Sequence, residues 1–427
     1  MDYTGIAMKN LSKNIGKYTT FFIACISSLA LNFIHSTLVY NDIVLISKNN
    51  VLIMILKLSM VIIIGMLSYF LIYAYINYMK LREKEFRLLM LIGMTKKELF
   101  RVLLLENAIL LLICLIFGIF LGAVFSKIFF MSLLKYLGLN SINLKLIKIN
   151  YISIISFGVI LYVIIGRMAK KVLTDITTLE KSQSEKLKLK VKNIGKIVSL
   201  IALIILNLWL WIYSSSNKNY IPASKWVNCV TFLYILVFYV SKLILNLFNK
   251  KKYFYNGKLL SFQATIKNLY KGDTFLFRIT FFSFLFITIN SIYKIYIHDT
   301  AKVSLNEIKI INLIDSFTNI TFFFILASIL YFKSQIELEY MKNYFSRLYL
   351  VGLTKNELRA AAKRLLTSIF FTSCTLNCFM TIFYLLWVRL ELRYFKSNLV
   401  LLLLSYIFNF IAYSKARDKY DLIIDAL

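Results

Sequence analysis

One proline, two histidines and five cysteines are spread over 427 residues, and the 20 acidic side chains face 51 Lys+Arg. Each scarcity excludes something. Pro222 alone leaves the rest of the chain free of helix-breaking rings. The cysteines Cys25, Cys114, Cys229, Cys374 and Cys378 are odd in number and sit mostly inside apolar runs, so they read as packing residues and not as a disulfide framework. Cys374 and Cys378 lie four apart on one predicted helix, with no His or carboxylate beside them to complete a metal site. His35 and His298 are isolated near the outer ends of apolar runs, which suits solvated or structural roles. No GxxxxGK[ST] phosphate loop occurs, so this chain cannot cradle ATP by that device. Without clustered His, Cys, Asp or Glu, an enzyme reading has no residues to stand on, and no metal or cofactor is expected here.

Apolar residues are what the chain has in excess: 59% of positions, with a mean hydropathy of +0.73. They gather in runs of about 20 residues, the length a helix needs to cross about 30 Å of hydrocarbon. In lipid the backbone must satisfy its own hydrogen bonds, so such runs are helices. Ten spans are expected, at about 19–39, 52–78, 103–127, 150–168, 197–214, 228–248, 275–294, 312–332, 365–388 and 398–414. The fold class is therefore all-α and polytopic. Lys9, Lys13 and Lys17 before the first run mimic a signal peptide, but the long run lacks a small-residue cleavage site and reads as a retained span.

The net charge of +31 does not signal nucleic acid, because the basic residues lie between apolar runs and leave no room for a soluble binding domain. Of the 51 Lys+Arg, 37 fall on the side of the N-terminal tail and 14 on the other. Positive charge collects on the cytoplasmic side, which places both termini there and the protein in the cell membrane. Six of these lysines crowd into Lys181–Lys196, a solvated run at the membrane surface. Outer loops are short, so nearly all extramembrane mass faces the cytoplasm.

An internal repeat organises the chain. Phe86 through Leu99 and Phe345 through Leu358 are identical at eight of fourteen positions, at an offset of 259. Met8-Lys9-Asn10-Leu11 is echoed by Ile266-Lys267-Asn268-Leu269. This divides the chain into 1–170, a first four-span repeat with its cytoplasmic element at 82–101; 171–258, a linker with spans five and six; and 259–427, a second repeat with its element at 341–360.

Each cytoplasmic element reads as helix, turn, helix. In the first, Arg82, Glu83, Lys84, Glu85 and Arg87 belong to a charged helix, Gly93 ends it, and Thr95 with Glu98 forms a capping box that starts the next. Gly352, Thr354 and Glu357 repeat the pattern. Apolar residues stand among the charges: Leu88, Leu89, Leu91 and Ile92 in one copy, Leu348, Leu350 and Val351 in the other. Two rigid knobs of this kind suit docking to a two-fold symmetric partner through apolar anchors within a charged rim. An amphipathic helix resting on anionic lipid is the plainer alternative. Inside span three, Glu106 is an intramembrane carboxylate, expected either to serve function or to pair at the edge with Arg101 or Lys97. Gly118 and Gly122 on the same span form a GxxxG packing face.

Lys9-Asn10-Leu11, then Lys17-Tyr18-Thr19-Thr20-Phe21-Phe22-Ile23-Ala24, resembles the start of Bce-type permeases, the FtsX-like permeases of bacitracin and antimicrobial-peptide resistance systems. Arg82 through Phe86 and Ile92-Gly93-Met94-Thr95-Lys96 are similar to that family's coupling element. The resemblance implies a MacB/FtsX (type VII ABC) permease architecture. It implies coupling helices carrying Phe86, Leu89, Leu91, Gly93, Met94, Thr95, Lys96 and Glu98, and Phe345, Leu348, Leu350, Gly352, Leu353, Thr354, Lys355 and Glu357, docked on a pair of ATPase subunits. ATP and Mg would be held by those partners. The complex would remove or export peptide antibiotics or a lipid-linked ligand, in some cases signalling through a sensor histidine kinase. One departure stands out: the family's large extracellular domain between spans seven and eight is replaced by about Ile295–Ile311. A second reading is a non-transporting membrane scaffold regulated by an ATPase or kinase. A secondary transporter would want charged residues at mid-membrane, which are few here.

Overall fold

The protein is seen in a computed structural model. The structure describes residue 5 and residues 15–40, 50–137, 148–177, 278–289, 305–350, 352–388 and 392–426, with short pieces at 204–205, 208, 228–232 and 234–235. Helices account for the described elements: α1 Ile15–Val39, α2 Asn50–Leu81, α3 Glu83–Leu91, α4 Lys96–Leu137, α5 Lys148–Thr177, α6 Arg278–Ile289, α7 Leu305–Leu350, α8 Lys355–Val388 and α9 Leu392–Asp425. Spans one to four and seven to ten coincide with α1, α2, α4, α5, α6, α7, α8 and α9. Spans five and six fall largely outside the described residues, as does His298. Among the described residues, six helices are long and apolar enough to cross a membrane, and α1 and α6 contribute shorter apolar stretches. The chain is a polytopic, all-α membrane protein.

Two compact units divide it. The first comprises residues 1–179 and 292–336, the second residues 180–291 and 337–427. In the first unit α1 is the central helix, packed against α2, α4 and α5. It supplies Phe21, Ala24, Cys25, Leu29, Phe33 and Ile34 to the interior. The outward faces of α4 and α5 carry Ile116, Phe117, Phe120 and Phe125, and Ile152, Ile155 and Val159, all exposed. An apolar exposed face is what a lipid-facing helix presents.

The small residues on α4 do what their spacing predicts. A Cβ on Gly118 would sit 2.6 Å from the Leu29 Cβ, and one on Gly122 would sit 2.8 Å from the Phe33 Cβ. Both distances are below van der Waals contact, so only glycine lets α4 approach α1 this closely. Van der Waals packing, not water exclusion, drives helix association in lipid, and close approach maximises it.

Three other sequence expectations resolve here. His35 is buried, not solvated, and its Nε2 lies 2.8 Å from the Thr321 Oγ1. Cys374 packs inside the second unit, where the Asn409 amide donates to its sulfur at 2.6 Å. That unit also buries Cys229, Val230, Phe284, Met380 and Tyr384 as one cluster.

We expect Gly122→Val to destabilise the purified protein by about 1–3 kcal/mol through overpacking, seen as a lower melting temperature in detergent. Ile116→Val on the exposed face should leave that temperature unchanged.

Candidate functional site

The two helix–turn–helix knobs are built from the same hydrogen bonds. In the first, α3 ends as the Gly93 N–H donates to the Met90 carbonyl at 3.1 Å and the Met94 N–H donates to the Leu89 carbonyl at 3.1 Å. In the second, the Gly352 N–H donates to Tyr349 at 3.0 Å and the Leu353 N–H to Leu348 at 3.2 Å. These paired bonds are a Schellman ending, which requires a left-handed residue after the helix. Gly93 and Gly352 both adopt φ 104. No atom lies within 4 Å of where their Cβ would be, so the backbone angle and not space demands glycine.

Two residues after each glycine a capping box closes. The Glu98 Oε2 accepts from the Thr95 N–H at 2.9 Å and from its hydroxyl at 2.8 Å, while the Glu98 N–H donates to the Thr95 Oγ1 at 3.4 Å. In the second knob the corresponding distances for Thr354 and Glu357 are 3.0, 3.1 and 3.4 Å. Two helix ends that meet outside lipid are thus satisfied locally, and the reversal is stiff.

Burial sorts the knob residues into two classes. Phe86 and Phe345 are inside, at 0% and 2% exposure, so they anchor the knob and cannot offer a docking contact directly. Leu99 and Leu358 are likewise buried. Leu91 and Ile92 are 81% and 83% exposed, Leu350 is 84% exposed, and Leu88 is exposed too. Leu89, Met94, Leu348 and Leu353 are half-buried, and Lys96 is exposed while Lys355 is half-buried. An Arg87–Glu83 ion pair at 2.5 Å flanks the first apolar tip.

Glu106 does not pair with Arg101 or Lys97 as expected. It is fully buried and accepts from the Arg82 guanidinium, at 2.6 Å from Nη1 and 3.3 Å from Nη2. Arg82 is therefore not on an exposed charged helix. It occupies the turn between α2 and α3, points inward at 1% exposure, and also bonds Glu85 at 3.0 Å and the Tyr78 hydroxyl. Its Cζ lies 4.9 Å from the Phe86 ring centre. The neighbouring Asn107 amide donates to the Tyr75 hydroxyl at 3.0 Å, and Phe21 of α1 stacks on Tyr78. Sequence reasoning missed this joint because a basic residue in a basic, membrane-flanking segment looks solvated. The only signal was the buried carboxylate's need for a partner.

Residues 57–170 match the family model described as FtsX-like permease C-terminal. Over that stretch the chain is similar to FtsX-like permeases. That FtsX-like region runs from α2 through the first knob to α5 and so contains the Arg82–Glu106 joint. Curated relatives agree with it. The chain is 31% identical over 143 residues to the bacitracin export permease protein BceB of Halalkalibacterium halodurans, covering 33% of this chain and 22% of that one. It is 31% identical over 140 residues to BceB of Bacillus subtilis, covering 32% and 21%. An uncharacterized ABC transporter permease, YvcS of Bacillus subtilis, is 26% identical over 136 residues, covering 31% and 21%. The matches span about a fifth of each relative's length. The likeness to Bce-type permeases read from the motifs is thus matched by similarity over about a third of this chain.

At the offset of 259, Arg82 and Glu106 correspond to Met341 and Leu365. The second repeat thus carries apolar residues at the matching positions. Glu106→Gln should cost about 3–5 kcal/mol by removing the buried charge that faces the Arg82 guanidinium, whereas Arg82→Met with Glu106→Leu should fold with near-native stability. Thermal melts of the single and double variants in one detergent test this.

A separate expectation concerns the turns. Thr95→Ala should cost the first knob about 0.5–2 kcal/mol of local stability. Faster amide exchange confined to residues 96–99 is the readout.

Proposed function

We propose that this chain is the membrane-spanning permease subunit of an ABC-type transporter whose ATPase is a separate chain. The observation that carries it is the twice-built knob: the same Schellman turn, the same capping box and an exposed leucine at each tip, Leu91 and Leu350. Lipid adsorption asks only for an amphipathic helix, whereas a fixed reversal repeated at an offset of 259 suits a partner presenting two equivalent sockets. Phe86 and Phe345 anchor the knobs, and Leu88, Leu91, Ile92 and Leu350 are the contacts. The partner would be two copies of an ATPase, which hold the ATP and Mg. The repeat boundaries 1–170 and 259–427 follow from the same symmetry, with both termini on the cytoplasmic side.

The relatives' printed names supply the ligand class. We infer export or removal of peptide antibiotics of the bacitracin or lantibiotic type, at the membrane. A second reading, a scaffold that binds an ATPase or sensor kinase without transport, is favoured by one observation. Only about fifteen residues separate Ile289 from Leu305, where a recognition domain could stand.

Leu91→Asp with Leu350→Asp tests the docking without disturbing the buried anchors. Co-purification with the ATPase encoded beside this chain should weaken by at least about thirtyfold, as expected for losing central apolar anchors. Unchanged capture would overturn the knob assignment. ATPase turnover that rises with bacitracin supports the transporter, and capture without such stimulation supports the scaffold.

A further inference from the structure

Within the second unit, an open cleft of about 120 Å³ lies where α8 begins and α9 ends. Arg359 and Lys363 line it from α8, and Arg417 and Asp421 from α9. Its floor is Ala362 and Tyr420, both buried. The alanine leaves the room, and the three cations set the sign. The cleft belongs to the second repeat alone: at the offset of 259, Arg359, Ala362 and Lys363 correspond to Phe100, Leu103 and Leu104.

The carboxylates nearby do not use up the donors. Arg417 Nε meets the Asp421 carboxylate at a loose 3.5 Å, which leaves most of its five N–H groups. Arg359 pairs with Asp425, whose backbone carbonyl also accepts from the Lys355 ammonium at 3.0 Å. Lys363 is exposed and has no carboxylate partner among the described residues. The depth is also telling. Lys363 stands eight residues, about 12 Å, along α8 from Lys355 at the knob. On α9, Phe410 and Ile411, exposed and apolar, begin about as far on the other side of Arg417. Cations, then open space, then an exposed apolar face is the sequence met on passing from the aqueous side to the acyl chains.

We propose that this cleft seats the phosphate of an anionic phospholipid from the leaflet on the knob side. A phosphate presents tetrahedral oxygens to guanidinium forks and an ammonium, and basic pockets between spanning helices on the cytoplasmic side take such headgroups. The seat stands whether or not an ATPase docks, because none of its residues is an exposed knob contact.

The test uses the full chain extracted into mixed micelles of phosphatidylcholine and phosphatidylglycerol, with retained lipid counted by native mass spectrometry. Wild type should keep phosphatidylglycerol in preference to phosphatidylcholine. Lys363→Gln with Arg417→Gln should lower that preference by about tenfold or more, while Lys170→Gln with Lys171→Gln on α5 should leave it unchanged. Asp421→Asn should raise retention, a gain that no misfolded variant would give. Equal retention by the Lys363/Arg417 variant and wild type would overturn the proposal. Complete displacement of the lipid by millimolar inorganic phosphate would also overturn it, in favour of a soluble phosphate ligand.

Discussion

A bilayer offers no water to an unpaired N–H or C=O, so a chain crossing it repeatedly must complete every hydrogen bond within its helices and reverse only outside. Everything distinctive here follows from where and how those reversals are made. Between α3 and α4, and again between α7 and α8, four orphan carbonyls and four orphan amides meet across a few residues. A left-handed glycine and a Thr–Glu box answer them with local bonds. Because the chain satisfies itself at these turns, their exposed leucines are left over for something else.

Much of this was legible in the sequence, and for identifiable reasons. Gly93 and Thr95 could be read because turn chemistry is local: one backbone angle and one side-chain oxygen decide it. Gly118 and Gly122 could be read because in lipid close approach leaves a spacing signature. The buried state of Phe86 and Phe345 could not, since an aromatic within a charged stretch fits an outer face and an inner anchor equally well. Arg82 was harder still. Its partner Glu106 lies 24 positions away, and only the reversal of the chain at the first knob brings the two together.

The two repeats share their turn and differ in what lies behind it. Behind the first, Tyr78, Arg82 and Glu106 are bonded together around the break at Arg82, with the Asn107–Tyr75 pair beside them. Behind the second, the matching positions hold methionine and leucine, and α7 runs unbroken for 46 residues. Arg82 and Glu106 both lie within residues 57–170, the stretch that matches the FtsX-like permease model.

That difference sets the two knobs apart in how they resist a load. To reorient the first, Arg82 and Glu106 must either part or move together. Parting passes through a state in which two charges lie bare in an apolar setting, several kcal/mol uphill. Separating the joint therefore meets a barrier. Dispersion contacts around Met341 and Leu365 lose strength gradually with distance and have no comparable barrier. Pulling Arg82 away from Glu106 is therefore abrupt, whereas the apolar side chains at the matching positions yield by degrees.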